Sequence, residues 1–294
     1  MPALNYAQQY SQALAQAYPY VLHFAALRST ENDARYKWTG ANTIQIPSLS
    51  TTGRVDGDRD TITVAKRNFD NAWEPKTLGN FRTWSTLVHP MDIDETNHVA
   101  SIQNITKVFN EEQKFPEMDA YLVSKVYSDW GAAGRTADTD ALTVDNILIK
   151  FDAWMEAMDE ANVPKVGRIL YLTPAVNKIL KNAADLARTI MNGDENIRRT
   201  VKSLDEVTIE SVPSALMKTV YDFTEGWTAG EGAKQINMLL AHPSAVITPE
   251  KYTFAQLDPP SAGSNGKYVY FEESYDDTFL LNKRKAAVQY NVDA

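Results

Sequence analysis

An α+β chain of irregular element order is what this sequence predicts, on three observations. Strand-like alternation and helix-like periodicity follow one another without the regular rhythm of a doubly wound parallel sheet. A charged stretch between two alternating runs reads as a long hairpin with too little apolar surface to fold alone. Capping signals then place helices directly after it. The length of 294 residues suits two medium domains or one elongated one, and 44% hydrophobic with 23% charged residues allows a sizeable core.

Residues 1–36 read as a helical arm. Tyr6, Tyr10, Leu14, Ala17 and Tyr18 recur at helical spacing until Pro19 breaks the pattern. Such an arm carries little core of its own and packs on its own subunit or on a neighbour. Residues 37–90 are rich in strand signals. Thr43-Ile44-Gln45-Ile46 alternates, as does Thr61-Ile62-Thr63-Val64, and the charged residues Arg54, Asp56, Asp58, Arg59 and Asp60 lie between them at the expected hairpin tip. A third strand, residues 81–88, returns to the body.

Residues 91–142 are expected to hold two helices. Asp92 and Glu95 have the spacing of a capping box, and Val99, Ile102, Ile105 and Phe109 share a face. The first helix is expected to end near Lys114. Pro116 suits the first turn of a second, with Met118, Leu122, Val126 and Trp130 on one side, stopped by Gly131 and Gly134.

A further unit spans residues 143–267. A helix bearing Leu148, Phe151, Trp154, Met155 and Met158 leads to a strand at 168–172. Thr173-Pro174 is a cap and first turn for the next helix, whose apolar face holds Val176, Ile179, Leu180 and Ala183. Strands follow at 207–212 and 236–241, and a loop at 258–263. The closing segment, 268–294, reads as strands at 268–271, 279–281 and 286–292.

Chemistry is harder to find. The chain has no cysteine, which removes disulfides, thiolate nucleophiles and cysteine zinc sites. Its four histidines are scattered. Asp56 to Asp60 imitates the start of a calcium loop, but Thr61 stands where glycine is needed and Arg67 where glutamate is needed. The glycine-rich stretch 226–234 lacks the Gly-Lys-Ser/Thr of a phosphate-cradling loop, and Glu231 would repel phosphate. Asp92, Asp94 and Glu95 read as helix-terminal charges, worth ~0.3–1 kcal/mol each, rather than as an acid/base pair. No catalytic, cofactor-binding or metal residue is assigned. A net charge of −9 argues against a dedicated nucleic-acid binder. No apolar run is long enough to span a bilayer. Six tryptophans and fourteen tyrosines, Trp73 among them, suit core or protein interfaces better than a cofactor groove.

The run Thr43-Ile44-Gln45-Ile46-Pro47 with Gly53-Arg54-Val55-Asp56, followed by Asn71-Ala72-Trp73-Glu74, resembles major capsid proteins of tailed bacteriophages with Gram-positive hosts. So does the segment from Trp84 through His89-Pro90-Met91-Asp92 to Asn97, and the closing Tyr275-Asp276-Asp277-Thr278-Phe279-Leu280-Leu281-Asn282. The resemblance implies the Hong-Kong-97-type capsid fold. It maps 1–36 to an N-arm, 37–90 to the extended E-loop and its return strand, 91–142 to a P domain with a long spine helix over 92–114, 143–267 to an A domain, and 268–294 to strands returning to the P domain.

It further implies a non-enzymatic shell subunit, located in the virion capsid and in the host cytoplasm before assembly. That subunit pairs with itself as hexamers and pentamers, alongside a separate scaffolding protein and portal. The enclosed double-stranded DNA is touched only non-specifically, with no cofactor and no membrane. Arg54, Asp56, Asp58, Arg59, Asp60 and Trp73 are the expected intersubunit contacts. With no lysine from Gly53 to Asp60, crosslinking through the loop is not expected. A tail-tube subunit, or a soluble enzyme with an unrecognised site, are the alternatives.

Overall fold

The computed structural model describes residues 20–28, 36–56, 60, 67–96, 101–183 and 203–294. The arm helix expected over Tyr6 to Tyr18 and the alternation at 61–64 lie outside them. The described chain begins as a strap. Phe24 and, in the short helix α1 (Ala25–Arg28), Leu27 are fully buried in the main core. Asp119 holds the strap, accepting from the Tyr20 hydroxyl at 2.6 Å and from the backbone N–H groups of His23 at 2.9 Å and Phe24 at 3.4 Å.

After β1 (Lys37–Trp38) come β2 (Thr43–Thr51) and β3 (Phe69–Thr77), which pair antiparallel over their full length. The strand opposite β2 is therefore 69–77 and not the expected 61–64. The two strands are joined through residues 52–68, of which 52–56, 60, 67 and 68 are described. β4 (Asn80–Val88) returns to the body as expected.

The helix α2 (Pro90–Glu95) is capped by His89, whose Nδ1 accepts from the Met91 N–H at 3.2 Å, with Pro90 in the first turn. The capping box at Asp92 is thus corrected: Asp92 sits inside the first turn, where its charge still suits the helix dipole. The expected stop near Lys114 is also corrected. α3 (Ile102–Phe109) runs through a π-helical turn, Asn110–Lys114, directly into α4 (Phe115–Ala132). A proline inside a regular α-helix removes one hydrogen bond and drives its ring into the carbonyl four residues back. Here the helix widens just before Pro116, and the Phe115 N–H reaches five residues back to the Asn110 carbonyl. The spine is one long helix from 102 to 132, with the proline absorbed.

Gly134, at φ +78°, ends it. Its N–H donates to the Gly131 carbonyl and that of Arg135 to Trp130, the paired bonds of a left-handed helix terminus that glycine adopts without strain.

The next unit follows the sequence closely. α5 (Ile147–Glu160), β5 (Ile169–Leu172) and α6 (Pro174–Asn182) appear in order. The Thr173 hydroxyl accepts from the Val176 N–H at 3.5 Å, as its cap position predicts. β6 (Ser203–Leu204), β7 (Val207–Ser211), the small pair β8 (Tyr221–Asp222) and β9 (Thr228–Ala229), and β10 (Ile236–Ala241) complete it. The chain then gives β11 (Val246–Ile247), β12 (Glu250–Asp258), β13 (Tyr268–Asp276), β14 (Phe279–Leu280) and β15 (Val288–Val292).

Two sheets organise the body. The five-stranded sheet runs β15-β10-β5-β7-β6, with only the β5–β7 pair parallel. It is covered on both faces. Leu170, Leu172, Met238 and Leu240 meet α5 and α6, while Tyr171, Leu239 and Tyr290 meet Leu122, Val126 and Trp130 of α4. Burial on both sides is why 236–241 reads as an unbroken apolar run. The second sheet, β12-β13-β4, lies along the spine helix. Trp84 of β4 stacks on Phe109 at 3.8 Å between ring centroids, and Arg82 Nε donates to Glu117 at 2.6 Å.

The segment boundaries drawn on the sequence cut across these sheets. β12, within 143–267, pairs with β13 and not with the five-stranded sheet. β15, expected to return beside the spine with the other closing strands, forms an edge of the five-stranded sheet.

Candidate functional site

Among the described residues the ribbon β2–β3 meets the body most deeply at its base. Ile44 is fully buried with Leu78, Ile247 and Phe279. Beyond that, Lys283 Nζ donates to the Leu49 carbonyl at 2.7 Å and Asn282 Nδ2 to Glu74 Oε2 at 2.9 Å. The pairing ends at Thr52, whose N–H donates to the Asn68 carbonyl.

Register separates the ribbon's faces. Ile44, Ile46 and Ser48 oppose Lys76, Glu74 and Ala72 on one face; Gln45, Pro47, Leu49 and Thr51 oppose Pro75, Trp73, Asn71 and Phe69 on the other. The first face turns its isoleucines toward the body. The second leaves Leu49 61%, Phe69 50% and Trp73 47% exposed. A contiguous apolar stripe on a projecting element marks an interaction surface. Of its residues the sequence singled out only Trp73. Pro47, Leu49 and Phe69 carried the same signal, apolar residues at alternate positions facing one way.

The expected charged contacts divide. Arg54, Asp56 and Asp60 are exposed beyond the paired strands. Asp58 and Arg59 lie outside the described residues. Arg67 lies closer to the stripe, with its guanidinium 5.0 Å from the centre of the Phe69 ring.

A cleft of about 730 Å³ opens between the spine helix and the β12-β13-β4 sheet. It is the place a soluble enzyme would use, and several of its charged groups are held by other side chains. Arg82 pairs with Glu117 at 2.6 Å, Lys114 with Glu272 at 3.0 Å, and Asn80 Nδ2 donates to Asp276 at 3.2 Å. Among the described residues no group of three histidine or carboxylate side chains is placed to hold a metal. No described helix is long and apolar enough to cross a membrane.

Burial raises the carboxyls of Glu117, Asp119 and Asp276 above their usual range. At Asp119 burial outweighs the three hydrogen bonds it accepts. An acid whose pKa is higher in the folded chain takes up a proton on folding. Its stabilising contribution is greatest at low pH and is lost as pH rises through the folded value. Asp119→Asn is therefore expected to flatten the decline in stability from about pH 4 upward, without abolishing it, since Glu117 and Asp276 act in the same sense. Thermal unfolding of unassembled subunits across pH, wild type against variant, measures this; an unchanged slope contradicts it.

No protein-family model matches the chain, and no curated protein matches it. Solved structures do. The capsid structure of cyanophage P-SCSP1u aligns with a TM-score of 0.69 at 13% identity, over 95% of this chain and 90% of that one. A structure from Mycobacterium phage Che8 aligns at 0.64 and 15%, over 94% and 91%. The mature capsid of bacteriophage PhiM1 aligns at 0.63 and 14%, over 86% and 82%. The fold is that of phage capsid structures, the Hong-Kong-97-type fold, over nearly the whole chain.

Proposed function

We propose that this chain is a major capsid protein. It assembles as hexamers and pentamers into the icosahedral head of a tailed bacteriophage, around double-stranded DNA. One observation carries the reading: a ribbon whose apolar face stands exposed among the described residues, on a fold shared with phage capsid structures. Apolar surface gains about 25 cal/mol per Å² when removed from water, so an exposed stripe of this kind favours burial by another copy. Many modest contacts of this sort, repeated around each subunit, become durable through multivalency.

In this reading β2, β3 and their connection are the E-loop, residues 1–36 the N-arm, and 102–132 with the β12-β13-β4 sheet the P domain. The five-stranded sheet with α5 and α6 is the A domain. The chain is a structural subunit, not an enzyme, and occupies the virion capsid after a stage in the host cytoplasm. A separate scaffolding protein and a portal accompany it, and DNA is contacted non-specifically, in keeping with a net charge of −9.

Size-exclusion chromatography and electron microscopy of the purified chain, with or without a co-expressed scaffold, test this. Closed shells or capsomer-sized rings are expected. Tubes point to the tail-tube alternative, and small discrete oligomers alone overturn the shell reading.

A further inference from the structure

The ribbon hangs on two corners of unequal character. Its exit corner, Leu78-Gly79, is sunk in the body. Leu78 is 2% exposed and packs with Ile44, Ile247 and Phe279. Its N–H donates to the Asn42 carbonyl at 2.8 Å, and its carbonyl accepts from the Tyr275 hydroxyl at 2.9 Å. The Gly79 N–H donates to the buried Asp277 at 2.8 Å, whose other oxygen accepts from the Tyr121 hydroxyl of the spine at 2.8 Å.

The entry side is held differently. Lys251 of β12 donates to the carbonyls of Gly40 and Ala41, in the turn between β1 and β2, with its ammonium 4.7 Å from the centre of the Trp38 ring. Farther out, Lys283 takes the Leu49 carbonyl at 2.7 Å, on the part of β2 that β1 does not cover. Both lysines are exposed. Neither has a carboxylate within ion-pairing distance among the described residues.

We propose that Leu78-Gly79 is a pivot, and that Lys251 and Lys283 are latches that set the angle of the ribbon to the body. This is a property of the single subunit and does not depend on the shell reading. Each latch commits a cation to neutral backbone oxygens. An ammonium on a four-carbon stem is strongly hydrated, so water competes for it at every exposed contact. Releasing it uncovers little apolar surface and returns rotamer freedom to the side chain. Opening the pivot would instead expose Leu78 and Ile44 and leave a buried carboxylate short of a donor. The ribbon therefore yields at the latches first and turns as a unit, its pairing from Thr43–Thr77 to Thr51–Phe69 intact. Because the lysines grip backbone, the angle is independent of the side chains on the ribbon's outer face.

The absence of cysteine gives a clean background for paired spin labels. Thr51→Cys at the outer end of β2 and Glu156→Cys on α5 are both at exposed positions. Double electron–electron resonance on unassembled subunits reads the distance between them. Lys251→Met combined with Lys283→Met keeps both stems and removes both ammonium groups. A broader and shifted distance distribution is expected from the double variant. Hydrogen exchange at the Leu78 and Gly79 amides should stay as slow as in the parent. A distribution unchanged from the parent overturns the latches. Fast exchange at Leu78 and Gly79 overturns the pivot, since the root of the ribbon would then be unfolding and not turning.

Discussion

Leu49→Ser, Phe69→Ser and Trp73→Ser combined are expected to give a folded subunit that no longer builds shells. All three side chains stand at about half exposure or more on the ribbon's outer face, so removing them should change subunit stability by within about 0.5 kcal/mol. Their effect falls on association. Truncating an aromatic anchor at an interface centre costs about 2 kcal/mol or more, roughly 30-fold in affinity for one contact. A shell repeats that loss at every subunit. Charge reversal at Arg54 and Arg59 should do less, since exposed ion pairs contribute about 0–1 kcal/mol each. Circular dichroism establishes folding and electron microscopy counts particles. Normal shells from the triple variant would remove the ribbon from the assembly mechanism.

The second large effect lies in the core. Trp130 is buried against Tyr127 and Tyr290, and its Nε1–H donates to the Val288 carbonyl at 2.9 Å. That bond ties the end of the spine helix to β15. Trp130→Ala removes the packing, at about 3–5 kcal/mol, and strands the carbonyl as well. Against a total of about 5–15 kcal/mol, the subunit is expected to be mostly insoluble or to unfold at much lower denaturant. Trp130→Phe keeps a ring and loses only the hydrogen bond, so it should fall between. Urea titration of unassembled subunits ranks the three. A Phe variant as unstable as Ala would shift the main effect from the ring to the hydrogen bond.

Where a signal was local, the sequence disclosed it. Thr173-Pro174 announces a helix because the cap and the proline act within one turn, and Gly134 ends the spine for the same reason. The run 236–241 reads as a strand because both its faces are buried. What stayed hidden depended on partners far along the chain. Asp92 and Glu95 have the spacing of a cap, but His89 had the better geometry once Pro90 fixed the first turn. Pro116 looked like a beginning because a π-helical turn leaves no mark of its own in the residues. β12 escaped because an uncovered strand shows no periodicity of burial. At the candidate site, Trp73 stood out by its size alone. Its neighbours Leu49 and Phe69 sit on the far strand and beyond the hairpin's expected end, so only the register brings the three together.

The wide turn before Pro116 also acts as a phase corrector. Each residue in a helix advances the side chains by about 100°, and a turn bonded five residues back takes in one residue more than an α-turn would. Delete one residue between 110 and 114 and the wide turn collapses to an ordinary α-turn, with the faces on either side of it kept in phase. Phe109 would stay on Trp84, and the ring of Pro116 would then meet the carbonyl four residues back. The extra residue is thus what lets the spine carry a proline, and its loss is expected to kink the helix rather than turn its two halves against each other.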